Sequence, residues 1–197
     1  LVRSRGLGDV YKRQVVLRTL KAWREAGQRA MLTTVVRTWG SSPRPVGSIM
    51  ALCETGAVVG SVSGGCIEDD LIAQYSKANA IQDSAPVRLK YGISADEAHR
   101  FGLPCGGTLE LLLEFNPDAA SLAQLIAMLE KGQLTQRTTN LQSGAVTLSA
   151  SDAHKNAPFR GMLENSTSSA GGFPARGLVR ANQVALASRI SRFINLY

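Results

Sequence analysis

The chain has 197 residues, with 22 Lys and Arg against 15 Asp and Glu, a formal charge of +7 and a pI near 9.7. At 44% hydrophobic it is long enough to bury a core as one ordinary globular domain, alone or with a fragment of another. Three cysteines without C-x-x-C spacing, no apolar leader and no run of about 18 apolar residues argue against a disulfide-stapled secreted scaffold and a membrane-spanning helix, and favour a reducing, cytoplasmic compartment.

The charge is unevenly placed. Residues 1–14 carry +3, residues 151–197 carry +4, and the body between them carries none. Non-specific nucleic-acid affinity comes from cations clustered against phosphates, and a neutral body with basic ends offers no groove for them. No nucleic-acid and no membrane partner is therefore expected. The first 14 residues show no helical or strand repeat and resemble translated adaptor sequence, so they are read as a non-native leader outside the fold.

From Val15 onward the elements follow in order. Val16, Leu20 and Trp23 form one apolar stripe on a helix that Gly27 ends. Ala30–Val36, Ser48–Leu52 and Val58–Val62 read as strands, the last two joined by the turn at Glu54-Thr55-Gly56. A helix carrying Leu71, Ile72, Tyr75 and Ala78 follows from Gly65. Then come a short strand at Val87–Tyr91, a turn or two of helix at Asp96–Phe101, and a long strand at Thr108–Phe115 interrupted only by its two glutamates. Asp118 is a natural N-cap for a helix with the stripe Leu122, Leu125, Ile126 and Leu129, stopped at Gly132. The predicted class is α/β or α+β, a sheet flanked by helices and covered on both faces, over residues 15–150. Residues 151–176 read as a linker rich in Ser, Asn and Gly, and 177–197 as the degraded start of a Rossmann-like domain. With no ribose-binding acid and no second βαβ half after it, NAD binding is not expected.

Three glycine-rich stretches carry the chemistry. In Trp39–Ser48, Pro43 and Pro45 stiffen the backbone around Arg44, with Ser41 and Ser42 beside it and Gly47 closing the loop. An Arg so presented suits a phosphate; a crossover loop with a solvated Arg is the alternative. In Gly60–Asp70, Gly64 and Gly65 lead into a helix whose first turn holds Cys66, where unpaired amides and the helix dipole favour a thiolate or a bound anion. Glu68, Asp69 and Asp70 share that turn and oppose both, so they read first as charge matching to the helix start. In Phe101–Thr108, Cys105 stands between Pro104 and the pair Gly106-Gly107, a setting that packing explains poorly. A structural zinc site lacks further ligands, His99 and His154 being the only histidines, and Cys53 beside its hairpin turn reads as structural.

The stretches VVRTWGSSPRPVGSIMAL, GSVSGGCIEDDLI and GLPCGGTLELLLE closely resemble signature blocks of the XdhC/CoxI family, accessory factors of molybdenum hydroxylases of the xanthine dehydrogenase and carbon monoxide dehydrogenase types. The resemblance implies a cytoplasmic chaperone, rather than a catalyst, that binds the molybdenum cofactor (molybdopterin), supports its sulfuration with a cysteine desulfurase and delivers it to an apo-hydroxylase. A homodimer is compatible with it. Carried over by position, the cofactor-binding set is Ser41, Ser42, Arg44 and Gly47, then Gly64, Gly65, Cys66 and Glu68, then Cys105, Gly106 and Gly107. Cys66 or Cys105 would supply a soft sulfur toward molybdenum. The competing reading is a thiol-dependent sulfurtransferase or redox enzyme using Cys66 or Cys105.

Overall fold

A computed structural model describes residues 3–40, 42, 44–77, 79–92, 107–133, 135–150, 162–164 and 178–182. Its centre is a five-stranded sheet of β1 (Ala30–Trp39), β2 (Ile49–Cys53), β3 (Val58–Gly60), β4 (Val87–Tyr91) and β5 (Thr108–Phe115), in the order β3-β2-β1-β5-β4. Every neighbouring pair is antiparallel, which resolves the class as α+β.

Alternation along each strand divides the core between the two faces. Met31 and Val35 of β1, Met50 and Leu52 of β2, and Leu109, Leu111 and Leu113 of β5 point to one face. There Ile67 and Leu71 of helix α2 (Cys66–Tyr75) cover them. Ala30, Leu32, Ile49 and Ala51 point to the other, under α1 (Arg3–Glu25) and α3 (Ala119–Glu130). The expected cover on both faces is thus present. Val16, Leu17 and Leu20 of α1 and Leu122 and Leu125 of α3 are almost wholly buried, each worth about 1.5–3 kcal/mol of apolar burial.

Both of these helices stop as their glycines predict. Gly27 and Gly132 take positive φ, 76° and 67°, and their amides and those of the next residues bond back to the carbonyls of the last turn. At the start of α3 the Asp118 carboxylate accepts the Ser121 amide at 2.7 Å. The start of α1 departs from the expectation, because the helix runs back to Arg3 through a stretch with no apolar stripe. Once the packed half is formed the nucleation cost is met and each added residue gains a backbone bond, so the helix extends without a buried face even across Gly6 and Gly8, which are weak helix formers.

Three strands, β6 (Thr135–Asn140), β7 (Val146–Ala150) and β8 (Met162–Glu164), have no counterpart in the sequence reading. β6 pairs antiparallel with β7 on one side and β9 (Leu178–Asn182) on the other, and β8 completes a second sheet of order β7-β6-β9-β8. The strand expected after Gly177 is therefore present. It joins an antiparallel sheet, whereas a Rossmann unit pairs its strands in parallel, and this pairing gives the Rossmann-like reading no support. The helical turn expected at Asp96–Phe101 lies outside the described residues, as does the linker expected at 151–176 except for 162–164, which form β8 rather than linker. Among the described residues no helix is long and apolar enough to cross a membrane.

Candidate functional site

Strand direction carries the glycine-rich blocks to one end of the central sheet. Trp39, the last residue of β1, pairs with Thr108, the first of β5, and Tyr91 at the end of β4 pairs with Leu109. β3 reaches the same end at Gly60, and α2 begins there after the turn 61–65. Two contacts join the blocks. A Cβ on Gly40, whose φ is 69°, would sit 3.3 Å from the Gly107 Cα, so the first and third blocks touch backbone to backbone. Arg44 donates from Nε to Ser61 Oγ at 3.3 Å, which ties the first block to the second.

Gly60 is sterically required where the end of β3 lies against β2 and α1. Its φ is 89°, and a Cβ there would stand 2.4 Å from the Ile49 carbonyl oxygen and 2.8 Å from Val16 Cγ2.

The turn that follows is organised by one carboxylate. Glu68 is buried, and its Oε1 accepts the amides of Val62 and Ser63 at 2.8 Å, the amide of Gly64 at 3.0 Å and the Ser61 hydroxyl at 2.7 Å. Its Oε2 accepts the Gly65 amide at 2.9 Å and the Ser63 hydroxyl. Burial alone pushes this carboxyl up, but the bonds from the Ser63 side chain and backbone, the Gly64 amide and Ser61 together outweigh it and hold the pKa at about 2. The anion that the loop amides were expected to receive is thus the chain's own. The helix-start carboxylates are expected to match the helix dipole; Glu68 instead turns back to the preceding loop, with only the N-cap Gly65 amide belonging to the helix start. Asp70 has a separate task, accepting from the Tyr91 hydroxyl at 2.8 Å and from Gln74 at 2.6 Å.

The other expected site residues fall into three groups. Arg44 and Cys66 are exposed, Arg44 with no acceptor for its terminal nitrogens among the described residues and Cys66 as the first residue of α2. Among the described residues nothing stands within 4 Å of where a Cβ on Gly64 or Gly65 would be, so that backbone is open to close approach on their side. Ser42, Gly47 and Glu68 serve the loops themselves. Ser42 donates to the Arg44 carbonyl at 2.8 Å and the buried Gly47 donates its amide to the Val35 carbonyl at 2.8 Å. Gly107 is buried against Gly40, while Ser41, Cys105 and Gly106 lie outside the described residues. Cys53 is fully buried with its thiol against Gln28, as its structural reading requires. Among the described residues no cluster of His, Cys, Asp and Glu could hold a metal ion.

Sequence reasoning missed Ser61 and Ser63. Their signal is the spacing of two hydroxyls and two glycines just ahead of a Glu at the third helical position, a capping arrangement that the glycines obscure.

Residues 23–92 match the model of the XdhC and CoxI family, a span that contains the first two glycine-rich blocks. The family resemblance stands. The chain is also 31% identical over 106 residues to PaoD of Escherichia coli K12, a molybdenum cofactor insertion chaperone, a match covering 54% of this chain and 32% of that protein. Among solved structures it resembles a xanthine dehydrogenase from Bacillus halodurans with a TM-score of 0.52 and 27% identity, over 66% of this chain and 39% of the other. The chain thus spans about a third of the length of the curated relative it matches. Arg44, Ser61, Cys66 and Glu68 all belong to the matched segment, and the hydrogen bonds just described join Arg44, Ser61 and Glu68.

Proposed function

We propose that this chain is a molybdenum cofactor chaperone that binds molybdopterin at the glycine-rich end of its central sheet and passes it to an apo-hydroxylase in the cytoplasm. The observation that carries the reading is the meeting of an open Arg44 guanidinium and the exposed Cys66 block through Ser61, inside the segment that matches the XdhC and CoxI family. The likeness to an insertion chaperone supports the same role.

The donor set fits the group. A guanidinium whose terminal nitrogens meet no acceptor among the described residues can take a phosphate through two parallel hydrogen bonds. Cys66 offers a soft sulfur toward molybdenum, which suits thiolate ligation, and the bare backbone at Gly64 and Gly65 leaves room beside it. The loop amides contribute by holding Glu68, which fixes where Cys66 and Arg44 stand. When bound, the cofactor supplies the metal and the dithiolene chemistry; the chain's own residues bind it, orient it and release it to the client. Sulfuration with a cysteine desulfurase, with Cys66 or Cys105 near the sulfur acceptor, is the finer part of the proposal.

Binding of molybdopterin released from a molybdenum hydroxylase, followed by pterin fluorescence, tests this. Arg44→Ala is expected to weaken binding roughly 10- to 100-fold, the worth of a charge-assisted bond pair, and Cys66→Ala to weaken it as well. Wild-type affinity in both variants contradicts the proposed site. A persulfide forming on Cys66 with no affinity for the cofactor would instead favour the thiol enzyme.

A further inference from the structure

We infer that Ser61 and Glu68 are positioning residues for Arg44, forming a directed relay in which the buried carboxylate orients the Ser61 hydroxyl and that hydroxyl in turn holds the guanidinium by its Nε. The inference rests on the proposed cofactor site and assigns roles to two residues that do not themselves touch the ligand.

The direction of the relay follows from hydrogen-bond chemistry. The ionised Glu68 is an acceptor only, so the single Ser61 proton must point to its Oε1, 2.7 Å away. The Ser61 oxygen is left with lone pairs alone, and Arg44 Nε–H, a donor only, meets it at 3.3 Å. No proton arrangement competes with this one while Glu68 stays charged, and each bond polarises the next.

The anchor is held from every side. Glu68 is buried and its two oxygens are gripped by four consecutive amides, from Val62 to Gly65, besides the hydroxyls of Ser61 and Ser63. The cation at the other end is exposed, on a loop whose partner Ser42 braces the Arg44 carbonyl. Tethering the guanidinium at Nε leaves the edge formed by its two terminal nitrogens for an oxyanion, which that edge takes in bidentate fashion. An untethered exposed Arg would lose more rotamer freedom on binding, so the relay lowers the entropic cost of engaging a phosphate.

Two measurements on the full chain test the relay. In nitrogen-15 NMR the wild type is expected to show a resolved, exchange-protected Arg44 Nε–H signal that disappears in Ser61→Ala. Ser61→Thr, which keeps the hydroxyl, should retain it. Ser63→Ala, which removes the other hydroxyl bond to Glu68 without touching Arg44, should retain it too and so separates positioning from general loop stability. In molybdopterin binding by pterin fluorescence, Ser61→Ala should weaken affinity roughly three- to tenfold and add nothing in an Arg44→Ala background. An Arg44 signal unchanged by Ser61→Ala, or full additivity of the two substitutions, overturns the relay. A wild-type protein that keeps the NMR signature but binds no molybdopterin overturns the proposed cofactor site and leaves the tether established.

Discussion

Glu68→Gln is expected to lower the melting temperature by roughly 6–12 °C at neutral pH. The substitution keeps the shape of the side chain but puts an NH2 donor where an oxygen stood. All six groups around the carboxylate are donors, so either orientation of the amide sets donor against donor. The size follows from linkage. A carboxyl moved from its usual 4.5 to about 2 favours the folded state by about 3 kcal/mol when ionised, at 1.36 kcal/mol per unit. Because the folded value is the depressed one, this stability is fully present above about 4.5 and is lost as the pH falls through about 2. The difference in melting temperature between wild type and Glu68→Gln should therefore narrow steadily over that window. Thermal melts between pH 7 and pH 2 check both parts, and a gap that is absent at pH 7 or constant with pH contradicts the role given to Glu68.

The second large effect is expected at Arg137. Its guanidinium meets Glu114 in a bidentate pair at 2.8 and 2.9 Å, with Thr139 Oγ1 bonded to both, and all three side chains are buried. The pair joins β6 to the long central strand β5. Arg137→Met leaves Glu114 buried and charged without its partner, and should cost about 3–5 kcal/mol in urea unfolding. The double variant Arg137→Met with Glu114→Leu removes both charges and should recover most of that loss, since a buried pair contributes little over apolar side chains of similar volume. A single variant as stable as the wild type, or a double variant no better than the single, would show that the pair is not what holds β6 in place.

This pair also shows where the sequence was informative and where it was opaque. The strand Thr108–Phe115, the strand Val87–Tyr91 and the helix from Asp118 to Gly132 were legible to the residue, because continuous β-rich runs, an acidic N-cap and a glycine stop are local signals. The two glutamates inside β5 had no explanation from their neighbours in sequence. Glu110 meets Arg88 across the sheet at 3.3 Å, and Glu114 meets Arg137 of a strand that sequence reasoning missed. That strand, Thr-Gln-Arg-Thr-Thr-Asn, buries Thr135, Arg137 and Thr139 at period two, so its inward face is polar and a search for hydrophobic alternation passes over it. The sequence predicts that β1 ends at Val36, whereas the pairing with β5 shifts register between Val35 and Arg37 and the strand continues to Trp39.

At the site, the glycine blocks and their order could be read directly, and with them Arg44 and Cys66. Their convergence could not, because it depends on the antiparallel order of five strands. Nor could the number of groups that turn toward Glu68. A Glu at the third position of a helix announces a bond or two at the helix start, whereas here the preceding turn folds around the carboxylate and spends every amide from Val62 to Gly65 on it.

The most direct measurement is the molybdenum and pterin content of the full chain purified from a molybdenum-replete host, followed by titration of the same folded sample with released molybdopterin. The account predicts molybdenum and pterin eluting together with the protein, approaching one of each per chain after titration. A folded sample that carries neither and takes up neither contradicts it.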